Sequence, residues 1–421
     1  SCDYKRFAVV LTGSDSEHIR ARLTVAQLAQ SGATVYSAIY ESRGHSRSSR
    51  ISLSYQGLAE ISGSGLDACA DQTRLYDGRH GCVLPADAHH EAGLACVDCH
   101  LHTELMGDGE AHVHKDEALE VHCETCHGPE APTRTWADVD DPITTAILKA
   151  RGQERAPSEA VRVGAEGTPL WNVRPTPEGW AVHPKHGGAA VPIPPTPADA
   201  DHTLPGHERL HCDTCHTQWA PACTTCHTDY DPTGQQWDFG AARVMPGHWR
   251  ETADGMSTGQ PALGVTAKGD IVPAVPGMVM TYEPPDGPTR EQRLFAPAAP
   301  HTTGPGLACA KCHRAPVPIG IGTGELSLGT GGASFQPTAP SDRPDRSADG
   351  WVGLREASPG SGTRLGFRSL DRAERERVLR VGVCLACHTG QEPWFQTFDA
   401  SVDRWRKAPG SCELSPDGWS W

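Results

Sequence analysis

Six copies of one five-residue pattern stand out in the sequence. In each copy, two cysteines are separated by two residues, and a histidine follows at once. With this composition, chance alone would give roughly 0.03 copies in the chain. In chain order the motifs, which we number one to six, are Cys96-Val-Asp-Cys99-His100, Cys123-Glu-Thr-Cys126-His127, Cys212-Asp-Thr-Cys215-His216, Cys223-Thr-Thr-Cys226-His227, Cys309-Ala-Lys-Cys312-His313 and Cys384-Leu-Ala-Cys387-His388.

This spacing predicts covalent attachment of c-type haem. Two thiols separated by two residues can reach both vinyl groups of one porphyrin. The histidine that follows then lies under the iron and supplies its proximal nitrogen ligand. We therefore expect six haem c groups, bound by all the motif cysteines and histidines.

Structural zinc is the main alternative for the cysteine pairs. Motifs three and four together read C-x2-C-x7-C-x2-C, but the central gap is shorter than in common zinc ribbons. Neither zinc nor an iron–sulfur cluster needs a histidine directly after every second cysteine. A disulfide lattice explains the histidines no better, so haem is the favoured interpretation.

Four further cysteines lie outside the motifs: Cys2, Cys69, Cys82 and Cys412. Covalent haem of this kind belongs outside the cytoplasmic membrane, where an oxidising compartment can pair the remaining thiols. The simplest of three pairings joins Cys69 to Cys82 and Cys2 to Cys412. We expect an exported protein, periplasmic or extracellular.

Charge and hydropathy narrow the choice of partners. The chain has 37 basic and 52 acidic side chains, a formal charge of −15, which disfavours nucleic acid and anionic membranes. No apolar run is long enough to span a bilayer. No charged-then-apolar leader begins at Ser1, so we expect that an export signal has been removed. Redox proteins or an extracellular electron acceptor are the expected partners.

The composition predicts a loop-rich fold. With 45 Gly and 35 Pro, we expect a mostly irregular, haem-packed cytochrome with short helices at the motifs and a few β-strands and hairpins. Haems supply apolar core area that side chains would otherwise provide. We divide the chain into a small β-rich N-terminal domain without haem (1–68), a haem pair (69–132), a hairpin insert with a second pair (133–240), and a loop-rich region with haems five and six (241–421).

Several elements can be predicted along the chain. Asp371 and Glu374 form a capping box that predicts a helix over residues 372–381, leading into motif six. Residues 320–365, rich in Gly, Ser, Pro and Asp, are predicted as loop. The predicted strands cover residues 6–12, 33–42, 51–55, 271–275 and 279–282, and a hairpin pairs residues 169–172 with 180–183.

Histidine is the expected sixth iron ligand. Of 22 His, six are proximal, whereas only five Met are present and none repeats at a fixed offset from a motif. Met106 is the single Met we retain as a rival. The distal candidates are His90 or its neighbour His89, His114 or His112, His202, His207, His248 and His301. His122 and His211 directly precede a motif, which is sterically awkward.

Several stretches resemble the large multihaem c-type cytochromes of metal-reducing and related bacteria. The likeness covers roughly residues 85–390. The resemblance implies electron transfer in the periplasm or outside the cell, and it supports His202, His207 and His301 as distal ligands. It is carried by Gly93-Leu-Ala-Cys-Val-Asp-Cys-His100 with Met106-Gly-Asp-Gly109, His122–Gly128, Pro205–His216, Trp219–His227, Pro300-His-Thr-Thr303 and Gly320-Ile-Gly-Thr-Gly324.

In haem number and length the chain is also similar to the hexahaem subunits of extracellular cytochrome filaments, which makes a conductive homopolymer an alternative assembly. The leading interpretation is an electron conduit of six closely spaced bis-His haems, which is not an enzyme. The rival is a multihaem reductase of a nitrogen or sulfur oxyanion, with one open haem site. The motif that ends in Lys, the usual sign of such a site, is absent. A mainly structural scaffold is a third alternative.

Overall fold

The structure is a computed structural model. It describes residues 8–12, 34–39, 53–62, 65–75, 78–110, 112, 114–198, 200–238, 242–283, 286–288, 290–329, 332–338 and 351–407.

The described α-helices are short, with one exception. They are α1 (Gly65–Ala68), α2 (Ala88–Glu91), α3 (Cys96–Cys99), α4 (His102–Met106), α5 (Cys123–His127), α6 (Pro142–Ala150), α7 (Ala200–Thr203), α8 (Cys212–His216), α9 (Cys309–His313), α10 (Arg372–Cys384) and α11 (Phe398–Lys407). Single 3₁₀ turns cover Lys115–Ala118, Trp136–Asp138 and Pro393–Thr397.

The strands are also mostly short and pair antiparallel. They are β1 (Ala8–Thr12), β2 (Thr34–Ile39), β3 (Leu58–Glu60), β4 (Gln72–Arg74), β5 (His80–Val83), β6 (Thr133–Thr135), β7 (Ala160–Arg162), β8 (Val173–Thr176), β9 (Gly179–Val182), β10 (Val191–Ile193), β11 (Ala220–Asp238), β12 (Arg243–Gly259), β13 (Ala262–Val265), β14 (Ile271–Glu283), β15 (Arg290–Pro297), β16 (Gly324–Gly329), β17 (Gly332–Pro337) and β18 (Arg368–Ser369). The expected mixture of short helices and small strand pairs is confirmed.

The chain divides into two compact units. Unit 1 comprises Ser1–Ser49 and Ala88–Ala198, and unit 2 comprises Arg50–Asp87 and Asp199–Trp421. Motifs one and two belong to unit 1, and motifs three to six belong to unit 2. The four sequence segments proposed above stay a prediction.

Unit 1 contains two motifs and three small sheets. Strands β8, β9 and β10 form a three-stranded antiparallel sheet, while β1–β2 and β6–β7 are separate pairs. Leu94 and Leu101, which flank motif one, pack against Leu170, Val173 and Val182 in one buried cluster. This cluster couples the motif-one helix to the three-stranded sheet, since burial of such side chains stabilises by about 1.5–3 kcal/mol each.

Unit 2 is built on a six-stranded sheet in the order β12-β11-β14-β13-β18, with β15 also paired to β14. Strands β11 and β14 are parallel, and the other pairs are antiparallel. The core packs this sheet against α10 and the segment after motif five. Its buried members are Leu263, Val265, Ile319, Ile321, Ala333, Leu370, Leu379 and Val383.

The predicted helix before motif six is confirmed. Helix α10 begins after Asp371, whose carboxylate accepts the Glu374 N–H at 2.9 Å, while the Glu374 carboxylate accepts the Asp371 N–H at 2.8 Å. The helix continues past the predicted end and includes Cys384, the first cysteine of motif six.

The strand predicted over residues 51–55 is wrong for residues 53–55, which form a helical turn. The Gln56 N–H donates to the Leu53 carbonyl at 3.0 Å. Gly57 then adopts a φ of 73°, which reverses the chain before β3. Leu53 is buried, so its apolar side chain belongs to a helical turn that packs into the interior and not to a strand.

The hairpin predicted between residues 169–172 and 180–183 has a different first strand. Strand β9 pairs with β8 through a register that places Thr176 opposite Gly179. Only residues 177–178 connect them. A two-residue loop joins a strand to the one that immediately precedes it, so β8 is the first strand of the hairpin. Of residues 169–172, Asn172 extends the pairing, since its carbonyl accepts the His183 N–H at 2.7 Å.

The loop predicted over residues 320–365 contains the β16–β17 hairpin. Leu326 and Leu328 alternate with polar residues in β16 and pack, together with Phe335, against the core of unit 2. This period of two is the signal for a half-buried strand, and the surrounding glycines obscured it. Conversely, the strands predicted over residues 271–275 and 279–282 are confirmed and belong to one strand, β14.

Motif four departs from the predicted short helix. Its backbone lies within β11, where Cys226 is opposite Ala253 of β12 and Met280 of β14. The motif and its flanks are rich in threonine, a β-branched residue that favours strands, and pairing on both sides fixes the extended form.

Among the helices that the structure describes, none has the length and hydrophobicity needed to cross a bilayer.

Candidate haem sites

Four motifs form isolated helical turns, and motif six ends the long helix α10. In a helix, residues three apart lie on the same face, one turn above each other. The two cysteines of a motif therefore face the same side. The histidine that follows lies at or just after the end of the turn.

Every motif histidine whose side chain the structure describes has its Nδ1 bonded to an oxygen acceptor. His127 bonds to the Pro194 carbonyl at 2.8 Å, His216 to the Gly304 carbonyl at 2.9 Å, and His313 to the Val378 carbonyl at 2.8 Å. His100 bonds to Glu104 at 2.7 Å, and His388 bonds to Glu392 at 3.3 Å. A carbonyl or a carboxylate can only accept, so Nδ1 carries the proton and Nε2 keeps its lone pair for a metal.

Three of these histidines face a second histidine ring. The ring centroids are 6.1 Å apart for His89 and His127, 6.3 Å for His202 and His216, and 6.1 Å for His207 and His313. The interplanar angles are 54°, 19° and 41°, respectively.

These separations fit one iron between each pair of rings. An imidazole nitrogen binds a first-row metal at about 2 Å and the ring centroid lies roughly 1.1 Å behind it, so two axial imidazoles have centroids about 6.2 Å apart. The observed values of 6.1, 6.3 and 6.1 Å agree with this spacing. The spacing of these imidazole pairs therefore fits a haem iron.

The remaining distal candidates are placed differently. His90 is exposed on α2, next to His89, whereas it is His89 that faces motif two. His114 begins the 3₁₀ turn Lys115–Ala118, and its backbone N–H donates to Glu117. His248 is exposed on β12.

His301 precedes motif five with a φ of 56°, and its Nδ1 bonds to the Ala299 carbonyl at 3.0 Å. The left-handed backbone is uncommon for a residue with a Cβ. His112, the alternative to His114, bonds instead to Asp108 at 2.7 Å. The side chain of Met106 lies outside the described atoms.

Motifs three and five lie against each other in unit 2. The chain after motif three forms a β-bridge between Thr217 and Thr303. The Gly304 N–H donates to the His216 carbonyl, and the Leu307 N–H donates to the Cys215 carbonyl, both at 2.9 Å. The segment that leads into motif five is thus hydrogen-bonded to motif three.

Motifs five and six are also in direct contact. Arg314 donates to the Gly382 carbonyl at 2.7 Å. A Cβ on Gly382 would lie 2.0 Å from the His313 carbonyl oxygen, and one on Gly390 would lie 2.8 Å from the Cys309 sulfur. Glycine at both positions allows the two motifs to approach this closely. Motifs three, five and six therefore form one contiguous group.

Burial changes the acid–base properties of motif five. It raises the pKa of the Cys312 thiol to about 12, with smaller contributions from Cys215 and Cys309. Burial also lowers the pKa of His313 to about 4, although the hydrogen bond to Val378 opposes this. His313 is therefore neutral at pH 7, which is the form that can bind iron. In unit 1, burial raises the pKa of Cys126 to about 11.

Motif one is held by polar groups from a distant segment. The fully buried carboxylate of Asp98 accepts the Ala95 N–H at 2.7 Å and the Lys185 N–H at 2.6 Å. The Lys185 ammonium contacts the carbonyls of Val97 and His100. Its pKa is lowered to about 8 by burial, which the Asp98 charge partly offsets.

Motif six has aromatic surroundings. The His388 ring meets Trp394 edge-on with the centroids 5.1 Å apart, and Trp394 stacks on Phe395 at 3.9 Å. Phe398 extends the stack at 6.0 Å. His388 is nonetheless exposed at the surface of unit 2.

A disulfide joins Cys69 to Cys82, with Cα atoms 5.9 Å apart. Cys2 and Cys412 lie outside the described residues, as do the side chains of motif four.

Sequence reasoning missed Glu104, Glu392, Asp98 and Lys185. The signal for the first two was readable, because each glutamate follows the motif histidine by four residues.

Within the described part of the chain, no group of three or more His, Cys, Asp or Glu side chains is placed to hold a bare metal ion. A haem iron takes four ligands from its porphyrin and needs only two from the protein.

Comparison with known protein families, curated proteins and solved structures finds nothing that matches this chain.

Proposed function

We propose that this chain is a hexahaem c-type cytochrome that carries electrons outside the cytoplasmic membrane, akin to the large multihaem cytochromes of metal-reducing bacteria. The observation that carries the proposal is the combination of six attachment motifs with a second imidazole opposite three of the motif histidines. Bound haem would supply the one-electron chemistry of its iron.

The protein's own residues have three tasks in this proposal. The motif cysteines would anchor the porphyrins, and His127, His216 and His313 would each bind one iron. His89, His202 and His207 would each supply the second protein ligand of the same iron, so that these three irons would have no position open for a substrate. We propose His100, His227 and His388 as the remaining proximal ligands, and His114, His248 and His301 as distal candidates for them.

The contacts among motifs three, five and six support a conducting role. Electron transfer needs cofactors held close together and in fixed positions. The hydrogen bonds from Gly304 and Leu307 to motif three, and from Arg314 to α10, are rigid links of this kind.

The neighbours His89 and His90 provide a direct test. In the exported holoprotein, His89→Ala should turn one of six haems from low-spin to high-spin in the ferric EPR spectrum, because its iron loses an axial nitrogen. His90→Ala is the matched control and should leave the spectrum unchanged. High-spin haem in the unmodified protein would favour a reductase with an open site. The same spectrum from both variants would contradict the proposed ligand.

A further inference from the structure

The histidines of motifs one and six differ from the others in the partner of Nδ1. His100 and His388 bond to carboxylates, whereas His127, His216 and His313 bond to backbone carbonyls. A carboxylate is the stronger and negatively charged acceptor. It draws the Nδ1 proton toward itself and makes the opposite nitrogen a better electron donor.

The same local geometry produces both carboxylate bonds. In motif one, Glu104 accepts the N–H of Leu101, the residue after the histidine, at 3.2 Å. In motif six, Glu392 accepts the N–H of Thr389, again the residue after the histidine, at 3.1 Å. A glutamate that caps the turn after the histidine thus reaches back to its ring, so the sequence C-x-x-C-H-x3-E encodes the contact.

Glu104 is held as a carboxylate by further donors. Its side chain is only 2% exposed, and it accepts the N–H groups of Glu120 and Val121 at 2.7 and 2.8 Å. Together with the His100 ring, these N–H groups surround the Glu104 carboxylate with hydrogen-bond donors that stabilise its negative charge. A fixed charge in such a dry place acts strongly on its neighbours.

Glu392 is the weaker member of the pair. Its side chain is 33% exposed, and the distance from the His388 nitrogen is 3.3 Å, against 2.7 Å in motif one. Water screens its charge, so its effect on the imidazole is smaller.

We infer that Glu104 and Glu392 divide the haem sites into two classes, in which the irons bound by His100 and His388 have lower reduction potentials than those bound by His127, His216 and His313. The reason is electrostatic, since a more basic imidazole and a nearby negative charge favour Fe(III) over Fe(II). This inference rests on the proposed function. Glu104 and Glu392 are positioning residues, because they act through the histidines.

The test is an EPR-monitored redox titration of the holoprotein, in which dithionite supplies one electron for each Fe(III) reduced to Fe(II). In Glu104→Gln, one of the low-potential haems should become at least tenfold easier to reduce, a rise of about 59 mV for a one-electron couple. Glu392→Gln should shift a different haem in the same direction, by a smaller factor of about three, because its charge is screened.

Glu178→Gln is the matched control. It removes the same charge from unit 1, but Glu178 lies exposed in the turn between β8 and β9. All potentials should stay unchanged in this variant. An equal shift in Glu178→Gln and Glu104→Gln would overturn the inference, because it would show an effect of net charge and not of the hydrogen bond.

Haem content separates this inference from the proposed function. Six haems per chain in Glu104→Gln with no shifted potential would overturn the inference and leave the proposed function standing. A protein that binds no haem at all would refute both. If Glu104→Gln fails to incorporate haem one, the test rests on Glu392→Gln, whose side chain is less buried. An unshifted titration of that variant would overturn the inference.

Discussion

His100 in unit 1 and His313 in unit 2 both form a hydrogen bond through Nδ1, but their acceptors differ in kind and in distance along the chain. The acceptor for His100 is a side chain four residues further along, whereas the acceptor for His313 is a carbonyl 65 residues away. Motif one can therefore orient its imidazole through its own local sequence. Motif five depends on helix α10 and on everything that holds this helix in place.

What holds α10 is a network of charges and close packing. Glu374, in its first turn, bonds to Arg368 at 2.6 Å and to Arg209 at 3.0 Å. At the other end, Gly382 lies against motif five. Mutations that weaken the hold on α10 should therefore disturb motif five and leave motif one intact.

The largest effect is expected at Glu374. Burial would raise the pKa of this carboxyl, but hydrogen bonds from Arg368, the Asp371 N–H and Arg209 lower it to about 2. Glu374→Gln should reduce the free energy of unfolding by about 2–3 kcal/mol at pH 7, because it breaks a buried ion-pair network. Urea unfolding of the holoprotein measures this.

The pH dependence of the same variant follows from the sign of the shift. The pKa of Glu374 is lower in the folded than in the unfolded chain, where it is about 4.3. Its contribution is therefore complete above about pH 5 and disappears as the pH falls toward about 2. The difference between wild type and Glu374→Gln should shrink over this range. A difference that is independent of pH would contradict the assignment.

A somewhat smaller effect is expected at Gly382. An alanine Cβ there would lie 2.0 Å from the His313 carbonyl oxygen, so α10 must move away from motif five. Gly382→Ala should cost about 1–2 kcal/mol of unfolding free energy, net of the helix-favouring effect of alanine.

Gly259→Ala in β12 is the control, because no atom lies within 4 Å of the added Cβ. It should change stability by less than about 0.5 kcal/mol. The EPR signals should change in Gly382→Ala only. A Gly382→Ala protein with wild-type stability would show that α10 and motif five are not in tight contact.

The smallest effects are expected at two helix caps, one in each unit. Asp371 caps α10, and Asp141 caps α6, where it accepts the Ile143 N–H at 3.0 Å. Alanine at either position should cost about 1 kcal/mol of unfolding free energy. Only Asp371→Ala should also alter the spectrum of the haem at His313, because α6 supplies no acceptor to the five motif histidines whose side chains the structure describes. A spectral change in Asp141→Ala alone would contradict the claim that motif five, and not motif one, depends on a distant helix.

The same contrast explains which features the sequence could predict. The helix after Asp371 was predictable because its capping box lies within four residues. The bond between His100 and Glu104 is equally local, because the glutamate follows the motif histidine by four residues. The acceptor of His313 is a backbone carbonyl, which any residue type provides, so no sequence pattern could reveal it.

Two further features could not be predicted from the sequence, because contacts between distant segments decide them. His89 and His90 are adjacent on a one-turn helix, and only the position of motif two decides between them. The strand form of motif four results from β12 and β14, whose pairing with β11 cannot be read from five residues. The hairpin β16–β17 was within reach, because its alternating leucines were visible.

The most direct test of the account is the haem content of the purified, exported protein. A pyridine haemochrome assay combined with intact mass spectrometry gives the number of covalently bound haems per chain. The account predicts six, all of them retained after denaturation, because each is attached through two thioether bonds. A colourless protein, or one whose motif cysteines bind zinc or pair as disulfides, would contradict it.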